Sequence, residues 1–436
     1  YTHANSTGGN KHVLLHLRSN RRVCLVTSTS VAHNPRLVKE ADALCAAGYT
    51  VRVVSCQRVD WLVERDYRLM EQKAWHSVPL SIVRNHPGGF LLFWKSRLRN
   101  QIYRRILSKL TLSGGIAEQA FVRIYPELRA EAMREPADLF IAHTPQALPV
   151  AAAAARHYGA RLGFDAEDYH TGELAASEKH SQAQRLIEYI EARYIRFCDY
   201  VSAPSDLVAD ALERRYGIQR PLVIHNVFPW QERATMDGKI KDRRGSTLSL
   251  YWYSQTIGLN RGIQDAIRAT GLLSEPVHIH IRGSLNSTTR ETLTHLAQDS
   301  GVAEQIFFYP AVPPEELLSR TAEHDVGLAL EQPVTDNRCF TITNKIFFYM
   351  LAGMAIAASD VPGQRVIMQA CPHVGCLYPP GDYHALALHL QNWLNNPEEL
   401  ATCKQVALKA ARVRWNWESE QRAFLDQIDR IFQHYR

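Results

Sequence analysis

The stretch of residues 341–360 constrains the fold most, because a short apolar helix in it stops at a glycine and leads directly into a hydrophobic strand. Ile346 and Met350 are four residues apart, so the pattern predicts an amphipathic helix with one face on a sheet. Gly353 fits the left-handed position that ends helices, and residues 355–358 read as a buried parallel strand. The stretch therefore predicts half of an α/β unit.

The start of this helix has the features of an anion site. Thr341 or Thr343 can cap the helix, and the polar pair Asn344 and Lys345 follows in its first turn. Unpaired backbone N–H groups and the positive end of the helix dipole bind phosphate well at such a position. An ordinary capped helix of the core is the alternative, and the residues alone leave both interpretations open.

The segment that contains this helix, TNKIFFYMLAGMAIAASDVPG, resembles the donor-site helix of GT-B glycosyltransferases of the family 4 type. The residues that match the family pattern are Asn344, Lys345, Phe347, Tyr349, Ala352 and Gly353. The resemblance implies that Thr343, Asn344 and Lys345 lie at the donor phosphates. Phe348 departs from the pattern, because the family usually has there a glutamate that binds the nucleotide ribose. A phenyl ring offers no acceptor to hydroxyl groups, so we expect backbone groups or another polar side chain to hold the ribose.

The length of the chain and the order of its motifs set the expected architecture. A chain of 436 residues exceeds the size at which one core keeps growing, so two domains are expected. The resemblance runs from about Arg21 onward and implies an α/β GT-B fold with two facing Rossmann-like domains built on parallel sheets. The predicted parts are an acceptor-side domain (21–229), a linker (230–246), a nucleotide-sugar-binding domain (247–410) and a C-terminal helix that crosses back to the first domain (411–436).

The cysteine and apolar contents bear on the location of the protein. Eight cysteines without a CxxC pair favour reduced thiols over disulfides or a zinc site, so we expect a cytoplasmic protein. No stretch approaches the length of a membrane span, and residues 1–20 lack signal-peptide character and read as a frayed end. The net charge of +6 suits anionic partners such as a nucleotide or phospholipid.

The loop after the first predicted strand, 22–27, lies where open α/β sheets bind ligands. Asn34 and Pro35 read as a helix cap followed by a proline in the first turn. The run NPRLVKEADALCAAGYTVRVV resembles the opening of family 4 enzymes, where this loop faces the acceptor. His33 and Arg36 are therefore acceptor-side candidates, and a solvated loop residue is the alternative for each.

Two further predicted strands, 138–142 and 161–165, end in polar groups at the same edge of the sheet. The candidates there are His143 after the first strand and Asp165, Glu167, Asp168 and His170 after the second. The segment DAEDYH stands where related transferases often carry DAHEL, so two acids match and Glu167 replaces the histidine. The resemblance implies an acceptor-side position for these groups, with Asp168 among the catalytic residues. For two of them, capping or bracing of the next segment is the alternative.

The second domain should hold the donor. A strand at 248–253, the loop SQTIGLNRG and a helix form a β-α pair, in which Gly258 and Gly262 allow a tight loop. This loop brings Arg261 to a helix N-terminus, which suits a diphosphate, and the family has a basic residue for that group there. A solvated loop arginine is the alternative. The other donor-side candidates are Ser254, Gly283 and 310–314, a loop of the kind that borders a nucleotide base.

The expected chemistry follows from a missing motif and from the resemblance. No DxD triplet occurs, so a bridging metal lacks its usual ligands, and no metal or other cofactor is expected. Arg261 and Lys345, helped by the helix dipole, are then suited to stabilise the departing diphosphate. Family 4 enzymes retain the anomeric configuration in a front-face reaction. The resemblance therefore implies a retaining transferase that uses a UDP- or GDP-sugar and a glycan or lipid-linked acceptor.

The stretch 90–110 has an unusual composition. FLLFWKSRLRNQIYRRILSKL begins with five apolar or aromatic residues, then interleaves six basic residues with apolar ones, and has no acid. This pattern predicts a basic amphipathic helix on an anionic membrane surface, with Phe93 and Trp94 at the headgroups. A surface helix packed on its own domain is the alternative. Nucleic-acid binding is a third interpretation, which no other motif supports.

Two other function classes stay open at this point. A sugar-nucleotide epimerase shares the architecture but needs acid/base pairs, and it would form an epimer without any acceptor. A non-catalytic scaffold or nucleic-acid binder would account for the basic stretch and for Phe348 in place of the glutamate. Nucleotide-sugar binding separates the scaffold from both enzymes.

Overall fold

The computed structural model describes residues 21–86, 88–107, 112–178 and 181–433, so the frayed end predicted for residues 1–20 lies outside the described residues. The chain forms two compact units. The first unit extends to Ile224 and also contains the chain from Gln421 onward, and the second unit is His225–Glu420. The boundary at Ile224 lies a few residues before the predicted one.

The first unit is built on a seven-stranded sheet in which every strand pairs in parallel with its neighbours. Its strands are β1 (Arg22–Thr27), β2 (Thr50–Gln57), β3 (His76–Ser81), β4 (Leu139–His143), β5 (Arg161–Asp165), β6 (Tyr200–Ala203) and β7 (Leu222–Val223). Its helices are α1 (Pro35–Ala46), α2 (Asp60–Glu71), α3 (Gly89–Leu107), α4 (Ile116–Phe121), α5 (Tyr125–Ala132), α6 (Leu148–Tyr158), α7 (Gln182–Tyr194) and α8 (Asp206–Tyr216). The order β3-β2-β1-β4-β5-β6-β7 reverses between β1 and β4, which is where sheets of this kind bind ligands.

The second unit repeats the design with six parallel strands in the order β10-β9-β8-β11-β12-β13. They are β8 (Ser249–Thr256), β9 (His278–Ser284), β10 (Ile306–Tyr309), β11 (Val326–Ala329), β12 (Ala355–Ser359) and β13 (Gly375–Tyr378). Its helices are α9 (Ile263–Thr270), α10 (Ser287–Asp299), α11 (Pro314–Thr321), α12 (Asp336–Phe340), α13 (Asn344–Ala352), α14 (Pro362–Ala370), α15 (Tyr383–Asn395) and α16 (Pro397–Val413). Two Rossmann-like units with parallel sheets confirm the predicted GT-B fold class.

The last helix, α17 (Trp417–Gln433), begins in the second unit and ends in the first. Inside the first unit, the Tyr49 hydroxyl donates to Asp429 at 2.6 Å, and the ring of Tyr49 stacks on Phe432. The C-terminal helix predicted from the resemblance is therefore present, although it starts at Trp417 rather than near residue 411.

Several local predictions are confirmed by their contacts. Asn34 caps α1, because its side-chain oxygen accepts from the backbone N–H of Leu37 at 2.9 Å. Gly353 ends α13 with φ 77°, a left-handed conformation that favours glycine, and β12 follows directly. The predicted amphipathic character of α13 is wrong. Every residue of this helix from Lys345 to Ala352 is buried, because α13 packs on β11 and β12 and also against α16.

The predicted linker, 230–246, is bound to the second unit. The Glu323 carboxylate accepts hydrogen bonds from three consecutive backbone N–H groups of this stretch, those of Lys241, Asp242 and Arg243. Arg320 also forms an ion pair with Asp237 at 2.6 Å. These polar contacts fix the stretch on the second unit, so it has a defined path although its sequence lacks the apolar periodicity of a helix or strand.

Two features of the whole chain bear on its class. All eight cysteines lie in the described part of the chain, and all are free thiols, as the sequence predicted. None of the helices in the described ranges has the length and apolar character needed to cross a bilayer.

Candidate active site

A buried carboxylate joins the two predicted phosphate-binding cations of the second unit. Glu331 follows β11, and its carboxylate accepts from Lys345 Nζ at 3.0 Å and lies 3.6 Å from the Arg261 guanidinium. The hydroxyl of Thr343 also donates to it at 3.3 Å. The structure thus brings together three of the predicted donor-side residues on one acid, which the sequence analysis did not single out.

The charge state of Glu331 explains how this cluster is held. Burial alone would raise the pKa of this carboxyl, but Lys345 and Arg261 lower it more, so the group stays ionised. Lys345 also lies over the ring of Trp252, with its nitrogen 5.4 Å from the ring centroid. The carboxylate and the ring together fix the lysine at the first turn of α13. Glu331 could have been recognised in the sequence, because it is a polar residue directly after the predicted strand VGLAL.

The N-terminus of α13 differs in detail from the prediction. Thr343 occupies the N-cap position, but its hydroxyl is directed to Glu331 and makes no capping hydrogen bond. Thr341 donates instead to the Asn337 side chain at 2.7 Å, and Asn344 is exposed. The predicted side-chain cap is therefore wrong. Because the Thr343 side chain makes no capping hydrogen bond, the positive end of the α13 dipole is left to attract an anion.

The conformation of the loop that carries Arg261 requires glycine at position 262 but not at position 258. Gly262 has φ 73°, and a Cβ there would lie 2.2 Å from the Leu330 carbonyl oxygen. Gly258 has an extended backbone with φ −135°, and nothing lies within 4 Å of where its Cβ would be. The predicted need for glycine therefore holds for Gly262, whereas the structure does not require it at Gly258.

Gly262→Ala is expected to impair donor binding, because it forces a side chain into a left-handed backbone position that is blocked by the Leu330 carbonyl. The shift would move Arg261, the residue directly before Gly262 in the chain. Gly258→Ala in the same loop is the matched control and should bind as the wild type does. Calorimetric titration with a nucleotide sugar measures both. Equal affinity of the two variants would show that the conformation of this loop does not control the site.

A cavity of about 450 Å³ lies in the second unit, where β9 and β10 end. Gly283 lines it with φ 151°, and a Cβ there would lie 2.3 Å from the Ser254 carbonyl oxygen, so these two predicted residues are in close contact. Phe308, Arg290 and Pro310 also line the cavity, and the Arg290 guanidinium lies over the Phe308 ring at 5.0 Å. The cavity thus borders the start of the loop predicted to lie at a nucleotide base.

Phe348 lies in the core. Its side chain is buried and packs on Phe228 and Tyr253, with ring centroids 4.7 Å and 5.3 Å away. The substitution of an aromatic residue for the family's usual glutamate therefore serves packing of α13. Because this ring is covered by two others, it offers no surface to a ribose.

The first unit holds a second ionic cluster, at the carboxyl ends of β4 and β5. The Arg36 guanidinium donates to Asp165 and, at 2.5 Å, to the carbonyl oxygen of Ile224. His143 lies 2.9 Å from the Glu167 carboxylate, 3.3 Å from that of Glu40 and 3.6 Å from that of Asp165. Four of the predicted acceptor-side residues therefore lie in one cluster, and the three at the ends of β4 and β5 meet as predicted from their shared sheet edge.

Glu40 is the member of this cluster that sequence analysis missed. It lies one turn after Arg36 on α1, and its side chain is completely buried. An acid within the apolar stripe of a helix is an unusual placement and could have marked it. Its pKa is raised, first by burial and then by the neighbouring Asp165.

Burial and neighbouring charges shift the pKa values of Asp165 and His143 in this cluster in opposite directions. Burial alone would raise the pKa of Asp165, but Arg36 and His143 lower it below its ordinary value. Burial alone would lower the pKa of His143, but Glu40, Glu167 and Asp165 raise it to about 10. An imidazolium, a guanidinium and an ionised Asp165 thus sit together in a dry site, which holds their side chains in one arrangement.

The cluster also contains a set of possible metal ligands. Within the described ranges, Glu40, His143 and Asp165 each offer a ligand atom, and these atoms lie within 4.8 Å of one another. The Arg36 guanidinium, however, binds Asp165 and lies 3.9 Å from Glu40. A cation would compete with this fixed positive charge, so the set does not fit a metal ion well.

The remaining predicted acceptor-side residues lie around this cluster. Glu167 is partly exposed, has φ 62°, and accepts from the Asn34 amide at 2.6 Å. Asp168 is half-buried, while His170 contacts Glu173 at 2.5 Å and the Ala166 carbonyl oxygen at 2.6 Å. His170 is therefore a brace of its own segment, which was the alternative considered for part of this group. His33 is exposed and lies edge-on to the exposed Trp61.

A comparison with models of protein families identifies the first unit. Residues 36–228 match the model of Glycosyltransferase Family 4. Over this segment the chain is similar to Family 4 glycosyltransferases. The resemblance predicted from the sequence is confirmed, and the Family 4 segment contains Arg36, Glu40, His143 and Asp165. No curated protein matches the chain in sequence.

Solved structures show the same fold over nearly the whole chain. Anabaena HepE in complex with UDP-glucose aligns with a TM-score of 0.65 at 15% identity and covers 94% of this chain and 100% of HepE. Sucrose-phosphate synthase from Thermosynechococcus elongatus gives 0.65 at 13% identity, covering 95% and 100%. The lipopolysaccharide outer core galactosyltransferase WaaB gives 0.56 at 13% identity, covering 93% and 99%. The first unit and the second unit thus together form a GT-B chain.

The stability of the first unit is expected to fall as pH rises through the alkaline range. Folding raises the pKa of His143 from 6.5 to about 10, so its stabilising contribution is complete below pH 6.5 and is lost as pH rises through about 10. His143→Gln has no proton to lose, so its urea midpoint should change less with pH over this window. If wild type and variant lost stability in parallel, His143 would not be protonated in the folded domain.

Proposed function

We propose that this chain is a retaining glycosyltransferase that moves a hexosyl group from a nucleotide sugar to a glycan or lipid-linked acceptor without a metal ion. The observation that carries the proposal is the pairing of Arg261 and Lys345 on one buried carboxylate, Glu331, at the uncapped start of α13. Two fixed cations and a helix dipole at one point form a site for a diphosphate.

The chemistry proposed for this site is the loss of a diphosphate from the sugar. As the bond between the anomeric carbon and the phosphate oxygen breaks, negative charge grows on that oxygen. Lys345 and Arg261 stabilise this charge, as a metal ion does in other transferases. The leaving phosphate oxygen takes the proton of the acceptor hydroxyl on the same face, so retention needs no protein nucleophile. Asp168 orients the acceptor, and the buried ionic cluster of the first unit holds the neighbouring strand ends in place.

The donor is proposed to be a UDP-sugar, with GDP-sugars as the next class to test. HepE, which shares the fold, was solved in complex with UDP-glucose. In this chain the cavity beside Gly283 and Pro310 offers the aromatic ring of Phe308 to a base. Because Phe348 is covered by other rings, backbone groups or a polar side chain outside α13 would hold the ribose.

A thermal stability screen with UDP-, GDP- and ADP-sugars tests this function. A ligand at one hundred times its dissociation constant adds roughly 2.7 kcal/mol to the stability of the native protein, so the true donor class should raise the melting temperature clearly. The same donor is then incubated without acceptor. Stabilisation without epimer formation supports a transferase, whereas an epimer, or no stabilisation by any nucleotide sugar, would contradict the proposal.

A further inference from the structure

Helix α3 has one face that is anchored in its own unit. Ser96 and Leu107 are buried, and Leu107 packs in a small apolar core with Ala117 and Ala120 of the α4 region. The Asn100 amide donates to the carbonyl oxygens of Gln119 at 2.8 Å and Ala120 at 2.9 Å. The packed-helix interpretation of this stretch is thus correct for this face, and it fixes which side of the helix points outward.

The opposite face carries an apolar stripe that nothing in the described structure covers. Its members, Phe90, Leu91, Trp94, Leu98 and Ile102, have exposed fractions of 57%, 75%, 43%, 62% and 47%. Four of them recur every fourth residue, so they lie on one side of the helix. Single exposed apolar residues are ordinary, but five on one helix face form a continuous patch of the kind that marks an interaction surface.

Positive charge surrounds the apolar stripe. Lys95, Arg97, Arg104 and Arg105 are exposed on the same helix, which contains no acidic residue. The guanidinium groups of Arg84 and Arg97 lie 5.4 Å and 5.8 Å from the ring of Trp94. Arg99 is different, because Glu127 neutralises it through two hydrogen bonds, so it does not add to this surface.

The pKa of Arg123 agrees with this concentration of positive charge on and around α3. The pKa of Arg123, beneath the start of α3, is lowered first by burial and then by the positive charges of Arg58 and Arg97. A surface whose cations repel one another in this way is complementary to a dense layer of negative charge.

We propose that the apolar stripe of α3 and its exposed cations dock the first unit onto an anionic lipid surface. The helix lies in the plane of the interface, Leu91, Leu98 and Ile102 enter the boundary between headgroups and acyl chains, and Trp94 and Phe90 lie at headgroup depth. Lys95, Arg97, Arg104 and Arg105 contact lipid phosphates. This docking is independent of the proposed transfer reaction, because it needs neither donor nor acceptor.

A lipid surface fits better than a nucleic acid because of the aliphatic residues. In a nucleic-acid complex the cations would contact phosphates and the aromatic rings would stack on bases. Exposed leucine and isoleucine side chains contribute to neither of these contacts. In a lipid interface both classes of residue are used, since apolar side chains enter the acyl region while cations meet the headgroups.

Vesicle co-sedimentation of the full chain tests the proposal, with phosphatidylcholine vesicles that contain or lack phosphatidylglycerol. Lys95→Gln/Arg97→Gln removes two exposed cations, and Leu91→Gln/Leu98→Gln removes two members of the apolar stripe. Lys409→Gln/Leu388→Gln, an exposed cation and an exposed leucine of the second unit, is the matched control. Circular dichroism confirms that each variant is folded.

We expect binding to the phosphatidylglycerol vesicles that weakens with salt. Each removed cation should lower the affinity about fivefold, and the leucine pair should lower it at least as much. The control should bind as the wild type does. Three results would overturn the proposal: no sedimentation with anionic vesicles, unchanged sedimentation of both α3 variants, or loss with the cation pair but not with the leucine pair, which would indicate phosphate contacts of the nucleic-acid type.

Discussion

Replacement of Lys345 by alanine is expected to lower kcat about 100- to 1,000-fold, while KM for the donor changes far less. The lysine is held by Glu331 at the first turn of α13, so its charge is in place before the reaction begins. Negative charge on the bridging oxygen grows only as the glycosidic bond breaks. An interaction that strengthens in the transition state lowers kcat when it is removed.

Arg261→Ala should lose rate in the same way, although this side chain is more exposed than Lys345. Because both cations act on one diphosphate, the double variant should lose less free energy of activation than the sum of the single losses. Steady-state kinetics of the three variants measure this coupling.

Lys404→Ala is a suitable control for these variants. Lys404 also pairs with a carboxylate of the second unit, Asp325, at 2.8 Å, but it has no part in the donor site. It should lose little rate. If Lys345→Ala kept a near-normal kcat with its fold intact, this lysine would serve only to neutralise Glu331, and the diphosphate would have to be placed elsewhere.

Arg36→Met is expected to destabilise the first unit by about 3–5 kcal/mol, because the buried carboxylate of Asp165 loses the guanidinium that donates to it. Asp165→Asn in the same chain removes that charge, so the double variant should regain part of the loss. Chemical unfolding, followed by a probe in the first unit, measures both. The two units need not unfold together, so a single transition should not be assumed.

Arg220→Met provides the comparison for a surface pair. Arg220 contacts Asp206 and Asp210 at 2.8 Å and 3.0 Å, but all three side chains are well exposed. Its loss should cost no more than about 1 kcal/mol. Equal effects of Arg36→Met and Arg220→Met would mean that water reaches the cluster around Asp165 and that its charges are not held in a dry site.

Local sequence determined many elements of the fold. Asn34 followed by proline fixed the start of α1, and Gly353 fixed the end of α13, because caps depend on one or two residues at a set position. The length of the chain predicted two domains, and the resemblance to Family 4 implied that both are built on parallel sheets. The sheet edge that gathers His143 and Asp165 also followed, since the carboxyl ends of parallel strands meet.

Contacts between distant segments account for what the sequence did not reveal. The Thr343 hydroxyl donates to Glu331 and does not accept a capping hydrogen bond, because the buried carboxylate requires donors around it. Burial of α13 on all sides depends on α16, far along the chain. Glu40 and Glu331 gain their roles only from partners that folding brings near them, so their spacing in the sequence could not show the clusters.

Calorimetric titration of UDP and uridine into the wild type and Lys345→Ala tests the central claim most directly. Charge-assisted hydrogen bonds are worth about 1.5–3 kcal/mol, so the wild type should bind UDP at least about tenfold more tightly than uridine. In Lys345→Ala the affinity for UDP should fall by a similar factor while that for uridine stays the same. If wild type and variant bound UDP equally, or if the wild type bound uridine as tightly as UDP, the Glu331 cluster would not be a diphosphate site.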